Sequence, residues 1–196
     1  MIWGLLVGLF AAGLAHVVQP SRADDTLPRV IIETDAGDVE VEVDTVRAPD
    51  TAANFLRYVD GGFYNGGRFH RTVKPDNQPN NDVKIEVIQA GASATRTRDY
   101  FPPISLERTS VTKLTHADGT VSMARSEPDS ARDQFFICIG DQPELDFRGK
   151  RNADGQGFAA FGRVVRGMDV VRKIQAAPAD GQNLRPPVRI VRARRL

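Results

Sequence analysis

RVIIETDAGDVEVEV, residues 29–43, is the stretch on which the fold turns. Apolar and polar residues alternate on both sides of Asp35-Ala36-Gly37-Asp38. Alternation of period two around an Asp/Gly turn predicts a β-hairpin, with Val30 and Ile32, then Val39, Val41 and Val43, each keeping to one face of their strand.

Beyond the hairpin the period changes. Pro49 suits a first helical position, and Ala52, Phe55, Leu56 and Val59 form an apolar stripe before Gly61-Gly62, which predicts a helix. Short β-rich stretches come next at Arg68–Val73, Val83–Gln89, Thr120–Met123, Gln134–Ile139, Phe158–Val165 and Val188–Val191. A second helix is predicted over Gly167–Ala176, where Met168, Val171 and Ile174 recur at helical intervals. Strands and helices do not alternate, which points to antiparallel pairing. The fold expected is mainly β, a closed or nearly closed antiparallel barrel capped by helices. The segment KPDNQPNND, Lys74–Asp82, reads as a surface loop. Arg185, Arg189, Arg192, Arg194 and Arg195 form a basic tail, read as a solvated edge that resists strand pairing.

Composition narrows the function by exclusion. The chain has 196 residues, 41% hydrophobic and 26% charged, and Lys+Arg 26 against Asp+Glu 25 leaves a formal net charge of +1. That balance gives no general attraction to nucleic acid or anionic lipid. Cys138 is the lone cysteine, set in the apolar run Phe135–Ile139, and reads as a buried strand thiol. His16, His70 and His116 lack the spacing of a zinc site. The N-terminal run IWGLLVGLFAAGLAHVV, residues 2–18, precedes Pro20 and Ser21-Arg22-Ala23. It reads as a signal peptide cut after Ala23, leaving a domain of residues 24–196 that is exported to the periplasm. The alternative is an uncleaved anchor, the one route by which this chain would meet a membrane.

No G-x-S-x-G, no phosphate-binding G-x-x-x-x-G-K-[ST] and no H-E-x-x-H occurs. Asp154-Gly155-Gln156-Gly157 lacks the spaced acidic series of a calcium loop and reads as a turn. What the chain does carry, in order, is Phe69-His70-Arg71, Gln89-Ala90-Gly91, Ser122-Met123-Ala124, Gln134-Phe135-Phe136-Ile137 and Gly157-Phe158-Ala159-Ala160-Phe161-Gly162-Arg163-Val164. This ordered set resembles the cyclophilins, the peptidyl-prolyl cis–trans isomerases, from about Arg29 to Val191.

The resemblance implies an eight-stranded antiparallel barrel with two capping helices, working on proline-containing peptides or unfolded protein clients as a monomer. It implies no cofactor, no metal and no nucleic acid. By resemblance Arg71 is catalytic, and Phe136, Val87, Leu145 and Phe158 line a proline pocket. Gln89 and Gln134 would bond the substrate and help orient the arginine, and the backbone of Ala124 and Arg125 would pair with an extended chain. On the residues alone, each position also has a structural reading: Arg71 as a surface ion pair, the apolar residues as core, the glutamines as satisfied amides. Glu86 stands where the family has an aromatic residue, and Glu144 where it has the tryptophan of strong cyclosporin binding, so weak cyclosporin binding is expected. The rival to an isomerase that assists folding of exported proteins is a non-catalytic module that holds proline segments, favoured by Glu86 and by the Lys74–Asp82 loop, which set against the family looks like an insertion between Arg71 and Gln89.

Overall fold

The structure, a computed structural model, describes residues 27–196. The signal-peptide or anchor reading of residues 1–23 lies outside the described residues. The elements run β1 Arg29–Thr34, β2 Gly37–Val43, α1 Pro49–Asp60, β3 Arg68–Val73, β4 Val87–Gly91, α2 Thr109–Thr112, β5 Thr120–Met123, β6 Phe135–Cys138, β7 Ala159–Arg166, α3 Met168–Gln175, β8 Ala179–Asp180 and β9 Asn183–Arg195.

The hairpin at residues 29–43 forms as expected, pairing Val30 with Val41 and Ile32 with Val39. Strand order is β1-β2-β7-β5-β6-β4-β3-β9, and β1 also pairs with β9, closing eight antiparallel strands into a barrel. The two-residue β8 hangs on β9 outside the ring. Closure leaves the barrel strands without a free edge. Helix α1 buries Phe55, Leu56, Tyr58 and Val59, and α3 buries Val171 and Ile174, in the core that also holds the inward residues of the strands. Among the described residues a third, four-residue helix, α2, joins the two expected ones. The Glu107 carboxylate, from the loop before α2, accepts from the backbone N–H groups of Asp50 and Thr51 (3.3 and 2.7 Å). That long-range contact satisfies orphan donors of the first turn of α1, whose own N-cap residue supplies none.

Three expectations need correction. The strand expected from Val83 begins at Val87, because Gln78 takes up the backbone of Ile85 through its amide, accepting at Oε1 (3.3 Å) and donating from Nε2 (2.8 Å). The Lys74–Asp82 loop is accordingly not all surface, since Gln78 is only 2% exposed. The arginine-rich tail is not an edge, because β9 pairs with β1 on one side and β3 on the other. Its Leu184, Ile190 and Ala193 point into the core while the arginines face outward.

The barrel also has a second, external apolar cluster. Val73, Ile85, Val87, Phe136, Cys138 and Leu145 pack together, with Ala124 and Phe158 against them. Along β4 and β6 residues alternate between the two clusters: Ile88, Ala90, Phe135 and Ile137 go inward, and Val87, Phe136 and Cys138 outward. Burial on both faces explains why Phe135–Ile139 reads as an unbroken apolar run.

Candidate active site

The outer cluster floors a cavity of about 290 Å³ whose wall includes Arg71, Ile85, Val87, Gln89, Phe136, Leu145 and Phe158. Arg71 reaches it through an irregularity in β3. The register against both β4 and β9 shifts between Phe69 and Arg71. Phe69 enters the barrel core, His70 lines a neighbouring surface cavity, and Arg71 lines this one. An extra residue in one strand puts two consecutive side chains on one face, and here it aims Arg71 at the cluster.

The guanidinium is held on two sides by neutral oxygens. Nη1 donates to Gln89 Oε1 (2.9 Å), and Nε and Nη2 both donate to Gln182 Oε1 (2.9 and 2.6 Å). Gln89 in turn donates from Nε2 to Gln134 Oε1 (2.6 Å), so β3, β4 and the start of β6 are joined by one line of amides. Gln182 sits at the β8–β9 turn and donates to Asn77 O (3.0 Å), inside the Lys74–Asp82 loop. Burial pulls the Arg71 pKa down from the ordinary arginine value. An arginine nevertheless stays charged in any physiological range.

The apolar floor is rigidly set. Phe136 and Phe158 meet edge to face, with centroids 5.3 Å apart at 88°. His116 stacks on Phe136 at 5.9 Å and 15°. The His116 ring is fixed by Asp146 Oδ1 at Nδ1 (2.7 Å) and by Ser122 Oγ at Nε2 (3.0 Å). Ser, His and Asp in this order are the groups of a nucleophilic triad, yet Ser122 is 0% exposed and no guest reaches it. The set instead fixes the His116 ring that stacks on Phe136. Cys138 lies beneath the floor, fully buried, and burial raises its thiol pKa well above the ordinary value. That matches the inert thiol expected from its sequence setting.

A shallower groove of about 220 Å³ adjoins the cavity, sharing Gln89 and Arg125 with it and adding Ala124, Arg132 and Gln134. Arg125 does more here than offer backbone. Its side chain is 1% exposed, with Nε donating to Gly157 O (2.8 Å) and both Nη groups to the Asp154 carboxylate (2.8 and 2.9 Å). The guanidinium also lies 5.2 Å over the Phe158 ring, holding that wall. Gly157 accepts this bond at a φ of +68°, where a Cβ would stand 2.6 Å from the Asp146 carbonyl carbon, so glycine is required. The Asp154 pKa is lowered, chiefly by the hydrogen bond from Arg125.

Every site residue expected from the sequence thus lies in the cavity or the adjoining groove. Glu86 does not. Its Oε2 accepts from Gln175 Nε2 at the end of α3 (2.8 Å), and its place in the wall is taken by Ile85. Gln182, Ile85, Arg151 and the Ser122–His116–Asp146 set escaped the sequence reading. Asp180-Gly181-Gln182-Asn183 signals a turn, but nothing in it says that the turn lies over Arg71.

Residues 29–195 match the model of the family described as "Cyclophilin type peptidyl-prolyl cis-trans isomerase/CLD". The chain belongs to this family. It is 39% identical over 158 residues to peptidyl-prolyl cis-trans isomerase A of Dickeya dadantii, covering 79% of this chain and 75% of that one. It is 36% identical over 168 residues to a peptidyl-prolyl cis-trans isomerase of Acinetobacter baylyi, covering 83% and 82%. Solved structures of a Cryptosporidium parvum cyclophilin share the fold at 22% identity. One has a TM-score of 0.68 over 86% of this chain and 97% of that one. The other, in the presence of the dipeptide Ala-Pro, has a TM-score of 0.65 over 84% and 96%. This cyclophilin is an isomerase of peptidyl-prolyl bonds, and its barrel is the family's barrel.

Proposed function

We propose that Arg71 is the catalytic residue of this isomerase and that Phe136, Val87, Leu145 and Phe158 receive the prolyl ring. Gln89 and Gln134 orient Arg71 and bond the substrate amides. The backbone of Ala124 and Arg125, in the adjoining groove, pairs with the extended chain that precedes the proline. One observation carries this reading: a charged guanidinium, clamped by Gln89 and Gln182, at the wall of an apolar cavity floored by Phe136.

The chemistry needs little else. Rotation about an X-Pro bond breaks amide resonance, with a barrier of roughly 18–20 kcal/mol. As the bond twists, the proline nitrogen pyramidalises and gains a lone pair. The apolar floor holds the ring, and the bonds to Gln89 and Gln182 leave further guanidinium N–H donors for that nitrogen. A donor fixed in advance stabilises the twisted state more than the planar one, which is the condition for catalysis. No proton is transferred and no covalent bond forms. The Ala-Pro dipeptide of the Cryptosporidium relative supports a proline-containing peptide as the substrate class.

Titration of an acetylated Ala-Ala-Pro-Ala amide into isotopically labelled protein tests the assignment. The Arg71 Nε–H, the Gln89 and Gln134 side-chain amides and the Ala124 backbone signal are expected to shift together. Shifts confined to other faces of the barrel overturn it.

The proposal extends to place. The apolar run of residues 2–18 and the Ser21-Arg22-Ala23 stop support export, cleavage after Ala23 and assistance to folding of exported clients. Intact-mass measurement of the protein from its host checks this: loss of residues 1–23 is expected, and a full-length, membrane-bound species contradicts it.

A further inference from the structure

The cavity carries more positive charge than bond rotation requires. Three arginines line it: Arg71, Arg125 and Arg151. The charge of Arg125 is neutralised by Asp154. Those of Arg71 and Arg151 are not. Arg71 is bonded to the amide oxygens of Gln89 and Gln182. Arg151 Nη1 donates to Gln78 Oε1 (2.8 Å) and Val83 O (2.6 Å), both neutral. Among the described residues no carboxylate forms an ion pair with either, and Glu86 is turned away to Gln175.

This is an unfavourable arrangement in the empty protein. Arg151 is half-buried, and desolvation together with the charge of Arg71 pulls its pKa down. Burying a cation without a counterion costs stability, so such a group is ordinarily paired. The fold nevertheless builds a seat for it. Gln78 is almost wholly buried, donates to Lys74 O and Ile85 O, and its Oε1, which also accepts from the Ile85 N–H, accepts from Arg151. Lys84 bonds the Gln78 carbonyl, adding a further positive charge to the same side. The segment from Lys74 to Val83 is therefore the platform that presents Arg151 to the cavity. A cation fixed at a partly dry wall attracts an anion brought in by a guest more strongly than one in open water.

Position tells which part of the guest it meets. Ala124 and Gln134 line the adjoining groove, where the residues before the proline are placed. Arg151 and Ile85 line the cavity and no part of that groove. With the residues before the proline in that groove, the Arg151 and Ile85 wall, which the groove does not share, is the side left for the chain that follows the proline.

We propose that Arg151 is a specificity-determining residue that selects proline segments in which the residue after the proline carries a carboxylate, as an Asp or Glu side chain or as the chain's own terminus. The proposal rests on the cavity being the substrate site.

The test is cis–trans exchange, measured by NMR with the full chain, on two matched pairs of peptides. Acetyl-Ala-Ala-Pro-Asp-Ala amide is set against its Asn isostere, and acetyl-Ala-Ala-Pro-Ala with a free carboxylate against its amide. The wild-type protein is expected to favour at least one acidic member by about three- to tenfold in kcat/KM, the pair that does so naming the source of the carboxylate. In Arg151→Gln the ratio falls to about one, and in Arg151→Lys, which keeps the charge but not the fork of donors, it is intermediate. Raising the salt concentration compresses the wild-type ratio. A wild-type ratio near one in both pairs, or a ratio that survives Arg151→Gln in a folded protein, overturns the proposal. If Arg151→Gln does not fold, a preference in Arg151→Lys equal to wild type overturns it. If no peptide is accelerated, the isomerase assignment of the cavity fails on its own. The Kd ratios of the same pairs for wild type and Arg151→Gln, read by chemical-shift titration, then decide the role of Arg151.

Discussion

A guanidinium bonded to amide oxygens keeps its charge for a guest, whereas one paired with a carboxylate does not. Arg71 is of the first kind and Arg125 of the second. Gln182 is a positioning residue, since it fixes two nitrogens of Arg71 without lining the cavity. Replacing it in Gln182→Ala is expected to lower kcat about three- to tenfold with KM little changed, because an unfixed donor loses preorganisation. The Arg71 Nε–H resonance should lose its hydrogen-bonded shift in the same variant. An unchanged kcat would sink the assignment. A pH profile tests the absence of proton transfer. Burial lowers the His70 pKa below its ordinary value, so His70 is neutral at and above about pH 7, and Arg71 stays charged. The exchange rate is expected to be flat from about pH 7 to 9; a break in that window would require a titrating catalyst. That Arg71, Gln89 and Phe136 share one cavity was legible only through the family resemblance, because each lies in one of the short motifs that carry it. Gln182 was not, because its partner lies 111 residues away and only the turn of one hairpin over another strand unites them.

At the scale of elements, the site depends on departures from regularity: a shifted register in β3, two-faced burial of β4 and β6, and a loop drawn inward by Gln78. The alternation of residues 29–43 could be read directly, because a strand with one buried face has a simple period. The late start of β4 could not, because a side-chain amide from another segment competes for its backbone. The Arg125–Asp154 clasp gives a prediction at this scale. Asp154 has a lower pKa folded than unfolded, so the clasp contributes above about pH 4 and is lost as pH falls through the folded value. At neutral pH, Asp154→Asn should reproduce that loss, raising KM several-fold as the Phe158 wall loosens while kcat is largely kept. An unaltered KM would show that the wall stands without the clasp. Cys138, buried with a raised thiol pKa, is expected to resist iodoacetamide until the protein unfolds. Modification of the native protein at the rate of a free thiol would contradict the burial.

Over the whole molecule, the barrel provides two separate apolar regions, one that holds the fold and one on its outer face that floors the candidate site. The mainly β character and the closure of the sheet come from many short strands that do not alternate regularly with helices. The central place of β9 was hidden, because an arginine-rich strand looks like an edge until the barrel's inner face is known to take Leu184, Val188, Ile190 and Ala193 from it. Glu144, which bonds the Lys150 backbone (2.7 Å) where strong cyclosporin binders carry a tryptophan, supports weak cyclosporin affinity, checked by calorimetric titration. An affinity like that of sensitive cyclophilins would contradict it. The central claim is that a fixed guanidinium over an apolar pocket does the catalytic work. Its most direct test is cis–trans exchange of an Ala-Pro peptide, monitored by NMR with the full chain and with Arg71→Ala. The wild-type protein should accelerate exchange, and the variant should lose about a hundredfold or more while keeping the native amide spectrum. A folded Arg71→Ala protein that matches the wild-type rate would contradict it.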